Sequence, residues 1–300
     1  MTEILYAVFV GPFREMAGSP AFLVEVLLGG VATGLMYSLV ALGFVLIFKA
    51  SGVFNFAQGV MVLFAALTLV GLMERGVPVA VALIVTMAVM VGLAFLIERV
   101  VLRPLVNQEA IILFMATIGL NFFLEGFGEM LWGANVKKLD VGIPDRSFIV
   151  AGVQINQLEM SAAATSAVMV AVLAVFFQRT RIGRALRAVA DDHEAALSIG
   201  IPLKTIWIIV WSVAGLVAIV AGIMWGAKSG VQFSLSLVAL KALPVLILGG
   251  FTSVPGAIVG GLIVSSAKKS SSACDDDDRH ATGCATRDRR RGGAGRGVAS

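Results

Sequence analysis

Long, continuously apolar segments dominate the chain. Six of them are long enough to cross a bilayer as helices, which takes about 20 residues at about 1.5 Å rise per residue. They are Phe22–Phe48, Phe56–Met73, Val77–Ile97, Ile111–Trp132, Ser161–Phe177 and Ile206–Ala227. A shorter segment, Ser236–Gly250, follows, and an eighth begins near Ala257 and stops at Val264. The segments do not alternate with period two, so they predict membrane-spanning helices rather than the strands of a barrel.

The composition supports contact with lipid. Of the 300 residues, 58% are hydrophobic and 14% are charged, whereas soluble domains have about 45–50% and about 25%. The charged side chains are too few to cover a globule of this size. We therefore predict an all-α integral membrane protein, a polytopic bundle of about seven to eight transmembrane helices in residues 22–264, with the last helix cut short.

The two ends differ from this transmembrane domain. Residues 1–21 are predicted to form a short amphipathic lead-in, because Glu3 makes the start acidic and no small-residue cleavage site follows the short apolar run. Residues 265–300 contain a block of four Asp and then Arg- and Gly-rich sequence, which is typical of disorder. Our hypothesis is an aberrant tail from a shifted reading frame or a truncated gene. A genuine regulatory or lipid-binding tail is the alternative.

Basic residues in the short loops predict the orientation. Lys and Arg collect in cytoplasmic loops, and the loop of residues 179–205 contains the most basic residues. The loops after the first and third spans carry Lys49 and the pair Arg99 and Arg103. These three loops are therefore predicted to lie inside. The N-terminus and the loop of residues 133–160 then lie outside, although that outer loop also carries basic residues.

The outer loop contains a small hairpin pattern. Two short apolar-leaning runs, Ser147–Val150 and Val153–Ile155, flank Ala151–Gly152 and follow the turn pair Pro144–Asp145. A strand pair here would cap the membrane domain or contact an extracellular partner. An ordinary loop without such a role is an equally good interpretation of the sequence.

The loop of residues 179–205 combines a basic segment with a helical pattern. Residues recur at helical spacing on one face of its middle, at Ile182, Leu186, Val189 and then His193 or Ala196, with Leu197 following. Asp191 and Asp192 favour the start of a second helix, since acidic side chains suit a helix N-terminus, and Gly200 and Pro202 end it. The sequence predicts a short helix flanked by a basic arm and able to dock in a groove of a partner. A loop that is basic only to set the topology is the alternative.

Three separated stretches resemble one family of transport proteins. Glu194-Ala195-Ala196 followed by Gly200 is similar to the EAA loop of bacterial ABC-importer permeases, although the Ile-x-Leu-Pro of that consensus is absent. Three stretches resemble the permeases of branched-chain amino acid ABC importers, of the LivH type. They are RTRIGRALRAVADDHEAA, GVFNFAQGVMVLFAAL (Gly52–Leu67), which contains the N-x-A-[QH]-G signature, and ALKALPVLILGGFTSVPGAIVGGLIV (Ala239–Val264).

This resemblance implies a permease subunit of an ABC importer in the bacterial inner membrane. Such a subunit pairs with a second, homologous permease subunit, binds two ATP-binding subunits and receives its solute from a periplasmic substrate-binding protein. ATP hydrolysis then belongs to the partners, and this sequence has no GxxxxGK[ST] phosphate loop. Permeases for urea and short amides share these features, so the solute stays open. The residues implied in ATPase coupling are Arg184, Arg187, Asp191, Asp192, Glu194, Ala195, Ala196 and Gly200.

Polar side chains inside the predicted spans are candidates for a translocation path, because a charge at mid-membrane costs about 2.5–3.5 kcal/mol on insertion scales. The candidates are Asn55, Gln58, Thr117, Asn121, Glu125 and Lys241. Thr117, Asn121 and Glu125 share one helix face through their spacing of four, and such a stripe suits a zwitterionic amino acid. Structural roles are the alternative: Asn55 as a cap, Glu125 near the outer interface, and Lys241 extending to the interface.

Other functional classes have less support. A self-sufficient secondary transporter or channel, the main rival, often has an internal repeat and buried ionisable residues, and no convincing repeat is visible. An enzyme is not predicted, since no paired acid/base or metal-ligand spacing occurs. No cofactor or metal is expected, because His193 and His280 are far apart in the sequence. The basic residues follow topology and do not form a nucleic-acid-binding pattern.

Overall fold

The computed structural model describes residues 20–105, 108–140, 142, 146–150, 153–191, 203–251, 253 and 255–265. In chain order the elements are α1 (Pro20–Ser51), α2 (Gln58–Glu74), α3 (Val79–Ile97), α4 (Ala110–Trp132), β1 (Ser147–Val150), β2 (Val153–Asn156), α5 (Gln157–Arg179), α6 (Arg181–Asp191), α7 (Leu203–Ser229), α8 (Val238–Gly249) and α9 (Pro255–Ser265). A π-helical turn, Glu98–Leu102, and a 3₁₀ turn, Arg103–Leu105, extend α3, and a 3₁₀ turn, Phe233–Leu237, precedes α8.

The predicted all-α membrane bundle is confirmed. Within the described residues, α1, α3, α4, α5 and α7 are long and apolar enough to cross a membrane, whereas α2, α8 and α9 are shorter apolar helices. Each predicted span corresponds to one of these eight helices. The predicted lead-in, residues 1–21, and the predicted aberrant tail, residues 265–300, lie almost entirely outside the described residues.

α3 shows most directly how the bundle meets lipid. It buries a narrow stripe of small and medium side chains, Ala82, Thr86, Met90, Ala94 and Ile97. Thr86 satisfies its hydroxyl within the helix by donating to the Ala82 carbonyl at 2.8 Å. The remaining faces are apolar and exposed, as at Ile84 and Leu96. A helix that is apolar on all sides and buried on one is typical of the rim of a membrane bundle.

The centre of the bundle is α2, in which every residue from Gln58 to Gly71 is buried. α2 is packed between α3, α4, α7 and the 3₁₀ turn Phe233–Leu237, and α1 packs against α5, α7 and α8. Trp211 of α7 is among the largest fully buried side chains. The short helix α2 is therefore enclosed by longer helices.

One end of the bundle is held together by contacts between loops. Lys137 pairs with Glu74 at the end of α2, and its backbone exchanges hydrogen bonds of 2.9 and 2.8 Å with Val231. Lys228 pairs with Glu159 at 2.6 Å, joining the end of α7 to the start of α5. All of these residues belong to the end that the sequence predicts to be outside. The contacts agree with the predicted alternation of helix directions, while the side facing the cytoplasm stays a prediction.

Of the two interpretations of the outer loop, the structure shows the strand pair. β1 and β2 pair antiparallel, with Ser147 opposite Asn156 and Val150 opposite Val153. The Asn156 side chain then caps α5 by accepting from the amides of Leu158 and Glu159 at 2.8 and 3.2 Å. α5 therefore begins at Gln157, before the apolar run in which its span was predicted, because a side-chain cap satisfies its free N–H groups.

Glycines let α8 and α9 pack as a close antiparallel pair on α1. A methyl group on Gly256 would overlap the backbone of Gly249, and one on Gly260 would lie 2.5 Å from the Val245 carbonyl oxygen. On the other side of α9, a methyl group on Gly34 would lie 2.8 Å from the Gly261 carbonyl oxygen. Small residues at membrane helix contacts allow this approach. At 12 residues, α8 spans only about 18 Å, so it does not cross a hydrocarbon core of about 30 Å alone.

Candidate functional site

The candidate path centres on a break between α1 and α2 that lies inside the bundle. Gln58, the first residue of α2, packs over Gly43, where a methyl group would overlap its side-chain amide. α1 continues from Gly43 to Ser51, which is about 12 Å of helix. The chain reverses at Gly52, whose φ of 69° favours glycine, and returns to the level of Gly43. α2 therefore begins well within the membrane domain.

The N-x-A-[QH]-G signature builds this start of α2. The Asn55 side chain accepts from the Ala57 amide at 3.0 Å and shapes the turn before the helix. Gly59 leaves room for the Ser236 carbonyl oxygen, which a methyl group at that position would overlap. The 3₁₀ turn ahead of α8 is thereby seated directly on the first turn of α2. Irregular backbone at membrane depth occurs where it is enclosed by protein or lines a cavity, and both conditions hold here.

Aromatic rings and one threonine support the break. Phe54 stacks on Phe44 with a centroid distance of 4.7 Å and contacts Phe56 edge-on at 4.9 Å. The Thr117 hydroxyl accepts from the Phe56 amide at 3.2 Å and donates to the Phe114 carbonyl at 2.8 Å. Thr117 therefore fastens the break to α4. The hydrogen bonds of Thr117 therefore support the backbone.

A cavity of about 360 Å³ lies beside the break, between α4 and α8. Phe44, Phe54 and Phe56 form its aromatic wall, and Asn121 and Glu125 of α4 contribute polar groups together with Ser236. Such a mixture of apolar walls and a few polar groups is typical of small-molecule sites. Glu125 is half-buried and lies seven residues before the end of α4, about 10 Å along the helix. It therefore lies inside the helix, about two turns from its end.

The structure separates the six path candidates. Asn121 and Glu125 line the cavity. Asn55 and Gln58 are buried at the break, where Asn55 Nδ2 and both polar atoms of the Gln58 amide have no hydrogen-bond partner among the described residues. Thr117 is buried and hydrogen-bonded, and Lys241 is exposed on α8.

Sequence reasoning missed Ser236 and the aromatic wall. The sequence placed Ser236 at the edge of a short apolar segment, where a single serine carries no functional signal. Its proximity to Gly59 is a tertiary contact. The phenylalanines around the junction of the first two predicted spans, Phe44, Phe54 and Phe56, were the signal available for the aromatic wall.

The predicted coupling loop is described only in its first part. The helical spacing that begins at Ile182 forms the helix α6, so the basic arm is itself helical. Asp191, expected to open a second helix, is the last residue of α6. α6 packs against α1, α5 and α7, with Leu186 and Val189 buried and Arg184 and Arg187 exposed. The remaining predicted coupling residues lie outside the described residues: Asp192, Glu194, Ala195, Ala196 and Gly200.

The geometry defines a polytopic membrane protein with an intramembrane cavity, and comparison with known proteins places it in a family. Residues 26–275 match the family described as "Branched-chain amino acid transport system / permease component". The chain belongs to this family of transport-system components. No solved structure matches the chain.

Individual relatives agree with this placement. The chain is 29% identical to the high-affinity branched-chain amino acid transport system permease protein LivH of Salmonella typhimurium, over 81% of this chain and 84% of that protein. It is 29% identical to BraD of Pseudomonas aeruginosa, a permease protein of the same description, over 79% and 82%. It is also 26% identical to the fructose import permease protein FruG of Bifidobacterium longum, over 72% and 66%. Similar chains thus serve chemically different solutes.

Proposed function

We propose that this chain is the permease subunit of an ABC importer that carries branched-chain amino acids inward across the bacterial inner membrane. The observation that carries the proposal is the cavity beside the break, which combines the Glu125 carboxylate with an aromatic wall. The carboxylate offers a partner to the ammonium group of an amino acid. The aromatic wall offers an apolar surface to its side chain.

The energy for transport comes from partner subunits in this proposal. The chain pairs with a second permease subunit in the membrane. It binds two ATP-binding subunits through the loop of residues 179–205 and receives solute from a periplasmic binding protein. The N-terminus lies outside and α6 lies in the cytoplasm. In support, α6 is docked on the ends of α1, α5 and α7, so a push on this loop reaches three helices of the bundle.

Reconstituted uptake tests the solute and the energy source. We expect leucine uptake into proteoliposomes that contain the chain and its partner subunits, dependent on enclosed ATP and on the binding protein. Excess isoleucine or valine should compete, whereas urea and fructose should not. Competition by urea or fructose instead would overturn the solute assignment. Uptake that persists without ATP or the ATP-binding subunits would contradict the proposal and indicate a secondary transporter.

Co-purification tests the coupling loop. We expect Glu194→Lys and Gly200→Pro to lose the ATP-binding subunits in detergent while the membrane fold, followed by monodispersity and thermal melting, is retained. The matched control is Glu109→Lys, a charge reversal at an exposed position before α4, at the same predicted end of the bundle. Equal retention of the ATP-binding subunits by all three variants would place the docking site elsewhere.

A further inference from the structure

A second cavity, of about 300 Å³, lies at the opposite end of the bundle from the loop contacts of Lys137 and Lys228. It is enclosed by the last turn of α1, the end of α5, the start of α6 and the connection between α8 and α9. Because four helix ends surround it, the cavity lies at the level where a membrane meets water. Among the described residues, it shares no lining residue with the cavity beside the break.

The charged lining of this cavity has one sign. Lys49 and Arg187 line it, and none of the lining residues that the structure describes is acidic. Arg187 donates to the Gln178 carbonyl at 3.5 Å, which holds its side chain at the end of α5. Neither Lys49 nor Arg187 forms an ion pair within the part of the chain that the structure describes. Two cations on one small cavity favour an anionic occupant.

Helix ends of both polarities surround the cavity. Gly183, in the first turn of α6, lines it, as do Ser253 and Pro255 at the start of α9, where the Ser253 hydroxyl accepts from the Gly256 amide at 3.0 Å. The C-terminal ends of α1 and α5 line it as well. Because the partial charges of helix N- and C-termini offset one another, the positive charge of the cavity comes from Lys49 and Arg187.

The rest of the lining is apolar. Leu46, Phe177 and Leu186 form walls on α1, α5 and α6, so an occupant must be anionic at one end and apolar at the other. A phospholipid with a negatively charged headgroup has this chemistry, and basic pockets between membrane helices bind such headgroups. We propose that this cavity holds the headgroup phosphate of an anionic phospholipid between Lys49 and Arg187. The proposal is independent of the solute that the chain carries.

Native mass spectrometry of the full chain, with defined lipids added in detergent, tests this site. We expect phosphatidylglycerol to be retained in preference to phosphatidylcholine. Lys49→Gln and Arg187→Gln should each weaken phosphatidylglycerol binding about fivefold, in line with the contribution of one basic residue to anionic-lipid attraction. The matched control is Arg184→Gln, because Arg184 is exposed on α6 and does not line the cavity. Its binding should equal that of the wild type.

The outcomes are distinguishable without relying on any one variant. Wild-type protein that retains both lipids equally would overturn the proposal, and so would equal loss of binding in Arg184→Gln and Arg187→Gln. Inorganic phosphate and glycerol phosphate separate a lipid from a free anion. If either competes as well as phosphatidylglycerol at equal concentration, the apolar walls contribute nothing and the site binds phosphate rather than lipid.

Discussion

Gly59→Val is expected to loosen the membrane domain and to stop transport. Any side chain at Gly59 meets the Ser236 carbonyl oxygen and the Ala239 side chain. The neighbour is backbone, so the 3₁₀ turn Phe233–Leu237 has to move away from α2. Overpacking of this kind costs about 1–3 kcal/mol, which corresponds to a melting temperature about 2–12 °C lower for a domain of this size. Thermal melting in detergent measures the change.

Gly92→Val is the matched control. Gly92 lies on α3, where an added methyl group meets no atom within 4 Å, and valine there faces the lipid side of the helix. We expect its melting temperature to stay within about 2 °C of the wild type, since surface substitutions change stability by about 0.5 kcal/mol or less. Equal melting temperatures for the two variants would mean that the turn before α8 does not rest on α2.

The effect on transport follows from the position of the turn. Ser236 contacts α2 through its carbonyl and lines the cavity beside the break. Displacing the turn therefore changes the cavity and the packing together. Gly59, the glycine of the N-x-A-[QH]-G signature, is thus explained by the close approach of the Ser236 carbonyl oxygen, which leaves no room for a side chain.

The helices were predictable because their signal is local. A membrane span can be recognised from about 20 consecutive apolar residues. The predicted spans correspond to α1–α5 and α7–α9. The sequence signal for the strand pair β1–β2 was also local, since turn residues separate two short apolar runs. The start of α5 was predicted late because Asn156 caps it through two side-chain hydrogen bonds, which composition alone does not reveal.

The depth of each helix was not predictable, because it depends on contacts between distant residues. Nothing in the sequence shows that Gln58 packs over Gly43, or that the break therefore lies inside the bundle. The polar stripe on α4 was visible from its spacing, but its members have different surroundings. Thr117 is used in supporting the break, whereas Asn121 and Glu125 reach the cavity.

Glu125→Gln is expected to lower leucine uptake about 10- to 100-fold without destabilising the protein. Glutamine keeps the size and hydrogen-bonding shape of the side chain but removes the charge that pairs with the ammonium group of the solute. A hydrogen bond to a charged group contributes about 1.5–3 kcal/mol, and each 1.4 kcal/mol is about tenfold in affinity. Uptake in proteoliposomes at several leucine concentrations measures the effect, with an increase in the half-saturating concentration as the expected sign.

Glu129→Gln separates a local role from a general effect of charge on α4. Glu129 lies four residues further along the same helix, is exposed, and does not line the cavity. Removing the charge of Glu129 should leave uptake unchanged, because a solute in the cavity does not contact this side chain. If both variants lose uptake equally, α4 contributes through its overall charge and the cavity is not the path. If neither does, the Glu125 carboxylate has a structural role, and the charged ends of the solute are bound elsewhere in the importer.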